Sequence, residues 1–320
     1  MPVTEIQGQK CKEKTDEDGA RMQRYFGVLA AIAAFAMWGS LPIYWKQVAM
    51  VPALEVLCHR TAWSLLVTAI IVFSLGRWRE VMAEMKRGGN IKILLSSALL
   101  LAANWLLYIW AVNSGYIIEA SLGYFINPLI NIGCGCLFFG ERLRRGQILA
   151  LFIASCAVIY LTVYYGRFPW IAITLAFSFA AYAVVHKKTT VSAVNALFIE
   201  TVMLFLPAVA YIAWLQYTGV GSFLLHGRAT TLFLVGAGVA TTIPLLCFGY
   251  AAHNLRLATL GIFQYIAPSL SLVIGIFLYG EDFPAQRMVG FCLIWLAILL
   301  YMGESFYQRN KQNKALGHGE

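Results

Sequence analysis

Long apolar runs, each closed by a short polar break, repeat along this chain from residue 26 to residue 303. They fall at roughly 26–45, 55–75, 91–112, 117–139, 146–165, 168–185, 193–215, 229–252, 257–279 and 285–303. A bilayer core of ~30 Å is crossed by about 20 helical residues at ~1.5 Å each, and every run is near that length. The strict apolar–polar alternation of barrel strands is missing from them, so the pattern predicts ten membrane-spanning helices. The flanks differ. Residues 1–25 are polar and charged, with no short apolar core followed by a small-residue cleavage site, and read as a disordered cytoplasmic tail rather than a signal peptide. Residues 304–320 read as a second cytoplasmic tail.

The runs also repeat as a set. At an offset of 140, Pro128 matches Pro268, Gly135 matches Gly275, and Gly140-Glu141 matches Gly280-Glu281, without a gap. Ala53, Leu57 and Thr61 match Ala193, Leu197 and Thr201. This divides the membrane part into a repeat of five spans over 26–165 and a second over 166–303. An odd number of spans per unit forces the second copy to enter from the opposite side. The expected fold is therefore an all-α integral membrane protein of two inverted five-helix repeats, a plan typical of transporters with a site between the halves.

Composition and charge agree. Sixty percent of residues are hydrophobic, 12% are charged, and the net charge is +9. That charge does not point to nucleic acid, because the cations sit in the segments expected to face the cytoplasm. They include Lys10 to Arg24 in the first tail, Arg77 to Lys92, Arg142 to Arg145, Lys187-Lys188, Arg256 and the last tail. The positive-inside bias puts both termini in the cytoplasm. The repeat inverts it: Arg142-Leu-Arg144-Arg145 corresponds to Asp282-Phe-Pro-Ala285, similar in sequence but stripped of positive charge. Six of the seven cysteines lie in apolar spans without metal-ligand spacing and read as buried thiols. No Walker A loop, HExxH or GxSxG is present, which excludes ATP-driven transport by this chain alone. No cofactor or metal is expected.

Two charges inside spans carry most of the candidate chemistry. Arg60 and Glu200 each cost roughly 2.5–3.5 kcal/mol near the centre of a bilayer, and the offset makes them counterparts. Glu200 is the candidate titrating or cation-binding group, because a carboxylate deprived of water seeks a proton or a cation. Arg60 either faces a cavity or lifts its guanidinium to the headgroups. Glu55 and His59 share a helix face, with Glu55 read as a hydrogen-bonded interfacial group. Glu141 and Glu281, each after a Gly, read as helix-end residues. The amides Asn104, Asn113, Asn127 and Asn131, with Ser121, and the Asn127-Pro128 and Gln264–Pro268 segments, either line a cavity or tie helices together. Trp38, Trp105 and Tyr124 are deep enough to line an amphiphilic pocket. Tyr44 and Trp45, beside Lys46, read as interfacial belt residues. A central site of Trp38, Arg60, Asn104, Tyr124, Asn127, Glu200 and Gln264 is expected, converging near the midplane.

Several strings are more specific than composition. WGSLPIYWK from Trp38 to Lys46, HRTAWS from His59, NWLLYIWAVN from Asn104 and EASLGYFINPL from Glu119 closely resemble RarD-type EamA permeases of the drug/metabolite transporter superfamily. ATLGIFQYIAP from Ala258 resembles the matching stretch of their second half. The resemblance covers roughly residues 25–303. It implies a bacterial inner-membrane carrier with two EamA-like repeats, whose relatives export amino acids and other metabolites. The partners it implies are the lipid bilayer, a small organic solute and a coupling ion such as the proton. A membrane-embedded enzyme acting on lipid-linked substrates, or an assembly protein, is the alternative; the chain offers no nucleophile–base or metal constellation for the former.

Overall fold

The computed structural model describes residues 3–114, 116–166, 168–280 and 285–316. Twelve helices and no strands occur among them: α1 (Val3–Lys46), α2 (Ala53–Ser74), α3 (Trp78–Lys86), α4 (Gly88–Asn113), α5 (Ile117–Phe139), α6 (Arg145–Tyr165), α7 (Trp170–Lys188), α8 (Ala193–Tyr217), α9 (Gly227–Asn254), α10 (Leu257–Phe263), α11 (Ile266–Tyr279) and α12 (Ala285–Leu316). Among the described residues nine segments are long and apolar enough to cross a membrane, and Met288–Glu304 within α12 is a shorter apolar helix. Large apolar side chains point outward along them, as on Leu137, Leu206 and Phe277. That is the expected surface where lipid replaces water.

Three features differ from the sequence reading. Helix α1 runs unbroken from Val3, so residues 3–25 are helical rather than a disordered tail; the C-terminal tail likewise continues α12 to Leu316. Both tails are rich in Glu, Lys, Gln and Arg, good helix formers that extend a helix already nucleated by the adjoining span. The basic segment after α2 folds into the short helix α3, which buries Val81. The ninth run is two helices, α10 and α11, meeting at Gln264 and Tyr265. Pro268 has no N–H for the Gln264 carbonyl, and Ala267 N donates to that oxygen instead at 3.3 Å. Pro128, its counterpart, sits inside α5 without interrupting it.

Packing follows a set of pairs. Helix α2 lies against α8 and α9, α1 against α9 and α11, and α7 against α4 and α5. Helix α4 touches α8, α5 touches α10, and α6 touches α12. Moving each helix by 140 residues exchanges α1 with α7, α2 with α8, α4 with α9, α5 with α10–α11 and α6 with α12. The pairs map onto one another under that exchange. One core cluster joins α5, α6, α7, α10 and α12, and another joins α1, α4, α7, α8, α9 and α10. Both contain residues of each half, so neither half is a separate domain.

Candidate functional site

Arg60 sits two turns into α2, and close helix packing brings its partner to it. Gly238 of α9 lies so near α2 that a Cβ there would stand 2.5 Å from the Trp63 carbonyl carbon. Ser64 Oγ donates to the Gly238 carbonyl at 3.3 Å across the same contact. One turn along α9, Thr241 is thereby placed to accept from Arg60 Nε at 2.9 Å. The guanidinium lies over the rings of Trp105, 4.4 Å from the centroid, and Trp45, 5.0 Å away. Such cation–π contacts are strongest where water is scarce. Tyr108 and Tyr124, with ring centroids 6.0 Å apart, stand close enough to interact with Arg60 electrostatically. Tyr124 leaves 47% of its surface accessible.

Glu200 occupies the neighbouring wall. Ser192 caps α8, accepting from Asn195 N at 3.4 Å, and the helix carries Glu200 to a position 1% exposed. Its Oε1 lies 3.0 Å from His186 Nε2 on α7. Tyr182 packs on the His186 ring at 4.4 Å and its hydroxyl approaches the carboxylate. Oε2 has no hydrogen-bond partner among the described residues. Glu200 and Arg60 do not form an ion pair; Glu200 borders a small cavity that Arg60 itself does not line. Thr61, Ser64, Leu101, Trp105, Leu197, Glu200, Thr201, Leu204, Thr241 and Leu245 line it. Trp105 and Thr241 are the link, since both line the cavity and hold Arg60.

The remaining expected site residues are placed differently. Asn104 Nδ2 donates to the Leu175 carbonyl and to Ser178 Oγ, both at 2.8 Å, and so ties α4 to α7. Gln264 Oε1 accepts from Asn131 Nδ2 at 2.5 Å, joining α5 to the α10–α11 junction. Trp38 packs in an aromatic cluster with Phe35, Phe179 and Phe248. Asn127 is half-buried, with Oδ1 unpartnered among the described residues. Tyr124 stands near Arg60, and Glu200 lines the cavity that Trp105 and Thr241 share with it, whereas Trp38, Asn104 and Gln264 bridge or fill between helices. Glu281 and the side chains of Asn113 and Ser121 lie outside the described residues.

Sequence reasoning passed over Tyr182, His186 and Thr241, and gave Trp45 a belt role. His186 carried a usable signal: a histidine at a span end, one short connection from the only carboxylate in the next span. Thr241 carried none.

Glu55 and Glu141 act on backbones. Glu55 Oε1 accepts from Ser222 N at 2.6 Å and Phe223 N at 3.3 Å, and Oε2 from Ser222 Oγ at 3.0 Å, which pins the α8–α9 connection. His59 stacks on Phe223 at 4.8 Å beneath it. Glu141 accepts from Leu257 N at 2.8 Å and Ala258 N at 2.9 Å, capping α10. Lys187, at 3.3 Å, and Arg256, at 3.8 Å, balance its charge. Among the described residues, no group of three His, Cys, Asp or Glu side chains is arranged to hold a metal ion.

Residues 25–163 and 169–303 each match the EamA-like transporter family. An uncharacterized transporter of Vibrio cholerae is 43% identical, over 86% of this chain and 91% of that protein. Protein RarD of Salmonella typhi is 43% identical over 89% and 97% of the two chains, and protein RarD of Escherichia coli 42% over 90% and 97%. A solved crystal structure superposes with a TM-score of 0.67 over 86% of this chain and 96% of its own, at 17% identity, a likeness of fold alone. The chain thus belongs to the EamA-like transporter family, as a multi-pass membrane protein of the RarD type.

Proposed function

We propose that the protein is a secondary carrier of a bacterial inner membrane, moving a small organic solute by alternating access. The observation that carries this is the set of helix pairs that survives exchange of the two halves, with a small cavity between them to which both halves contribute and which Glu200 lines. A site between equivalent halves can be opened to either side when the halves adopt each other's packing. In this reading Met288–Glu304 is the tenth span, 26–165 and 166–303 are inverted five-helix repeats, and both termini are cytoplasmic. Arg60, Tyr124 and Glu200 contact the solute or the coupling ion. Trp38, Asn104, Asn127 and Gln264 shape the site through the helices they join.

Two experiments test it. Reconstituted protein is assayed for solute counterflow in proteoliposomes against a metabolite panel; movement of none, beside turnover of a lipid-linked substrate, defeats the carrier. Single cysteines in 76–90 are challenged in intact cells with an impermeant thiol reagent. Protection is expected, and strong labelling overturns the orientation.

A further inference from the structure

Arg60 is a fixed cation without a fixed anion. Its Nε is bound to Thr241, but neither terminal nitrogen has a hydrogen-bond partner among the described residues, and no carboxylate pairs with it. The two acids on the helices around it are already engaged: Glu55 by the amides of Ser222 and Phe223, and Glu200 by His186. A guanidinium at membrane depth that keeps its charge without a counter-ion is costly, and an arriving anion relieves that cost. The free edge of a guanidinium presents two parallel N–H groups, matched to the two oxygens of a carboxylate. Around it stand the faces of Trp45 and Trp105 and the phenols of Tyr108 and Tyr124, surfaces suited to a flat apolar body with one polar end.

We propose that the solute is a small, flat organic acid whose carboxylate docks on the free nitrogens of Arg60, its body lying among these aromatic rings. This rests on the carrier reading and names the class carried. A dianion such as phosphate would need a second cation. No second cation stands beside Arg60 among the described residues, and Lys187 on α7 is held by Glu141 and by the Leu255 carbonyl. Among the described residues the groups around Arg60 include no carboxylate for an amino group on the solute; Glu200 lines the adjoining cavity, which Arg60 does not line.

The test is equilibrium binding to the full-length protein in lipid nanodiscs, read by quenching of tryptophan fluorescence. Phenylpropionate is compared with phenylpropionamide, phenylalanine and inorganic phosphate. The acid is expected to bind about tenfold or more tightly than the amide, the usual scale of a lost charge-assisted hydrogen bond. Phenylalanine is expected to bind no better than the acid, and phosphate weakly. Arg60→Gln removes the preference for acid over amide, and Arg60→Lys keeps part of it. Equal binding of acid and amide, a clear preference for phenylalanine, no binding by the acid, or an intact acid preference in Arg60→Gln overturns the proposal. If Arg60→Gln does not fold, the acid–amide comparison on the unaltered protein and the Arg60→Lys variant still decide it. Counterflow is measured separately. Acid binding without counterflow leaves the Arg60 assignment standing and defeats the carrier. Counterflow of neutral or amino solutes without acid preference does the reverse.

Discussion

Glu200 Oε1 stands 3.0 Å from His186 Nε2, with both side chains sealed from bulk water and the second carboxylate oxygen unpartnered beside the cavity. The contact joins α7 to α8 at the cavity wall. Glu200→Gln preserves size and one hydrogen bond to His186, so the variant is expected to insert and fold. Its transport should lose the pH dependence of the parent. Identical pH profiles for the two in proteoliposomes would sink proton coupling through Glu200. Glu200→Ala leaves His186 without its acceptor and should lower stability by about 1–3 kcal/mol.

Glu141 joins the halves at one end of the bundle. It caps α10 with two backbone bonds and meets Lys187 and Arg256 from the second half. Glu141→Ala strips the cap and leaves a largely buried Lys187 without its acid, an expected loss of about 2–4 kcal/mol. A lowered melting temperature in detergent checks this. An unchanged one means the cap is dispensable.

Asn104 is predicted to matter for stability rather than for the solute. Its two bonds hold α4 to α7. Asn104→Ala should cost about 1–2 kcal/mol of stability while solute affinity, measured on the folded fraction, stays within about twofold of the parent. A large affinity loss with unchanged stability would return Asn104 to the solute site.

Glu55→Gln keeps one acceptor oxygen for the Ser222 and Phe223 amides but gives up charge assistance. The connection after α8 should loosen, seen as faster amide exchange at 218–226, with transport little changed. Exchange equal to the parent's would show that the pin does not depend on charge.

Nine of the ten runs were legible as spans because bilayer thickness dictates their length; the tenth contains the shorter apolar helix Met288–Glu304 among the described residues. The repeat was legible because Pro128/Pro268 and Gly140/Gly280 are scarce residues kept in order. The site was only half legible. That Arg60 and Glu200 are costly follows from their position in the sequence; that they meet Thr241 and His186 rather than each other depends on helix rotation, which apolar periodicity fixes poorly when lipid and protein are both apolar. Glu141 read as the end of its own helix, yet its oxygens cap α10, over a hundred residues away. Trp45 read as a belt residue because Lys46 follows it, while its ring faces Arg60. Both proline segments read alike in sequence, yet the helix breaks only at Gln264 and Tyr265 and runs on through Pro128 in α5.

Three glycines touch backbone across the divide between the halves. A Cβ on Gly39 would stand 2.8 Å from the Ala267 carbonyl oxygen, one on Gly238 2.5 Å from the Trp63 carbonyl carbon, and one on Gly261 2.8 Å from the Pro128 carbonyl oxygen. Where main chains meet this closely, helices cannot slide past one another without collision. They can only rock. In the carrier proposed above the three contacts would act as fulcrums, and the leverage of an opening motion would grow with distance from them. Enlarging any one to Leu should abolish a monodisperse protein although none of the three touches solute. A survey of tolerated substitutions would then trace the pivot of the machine as sharply as the place where its cargo sits.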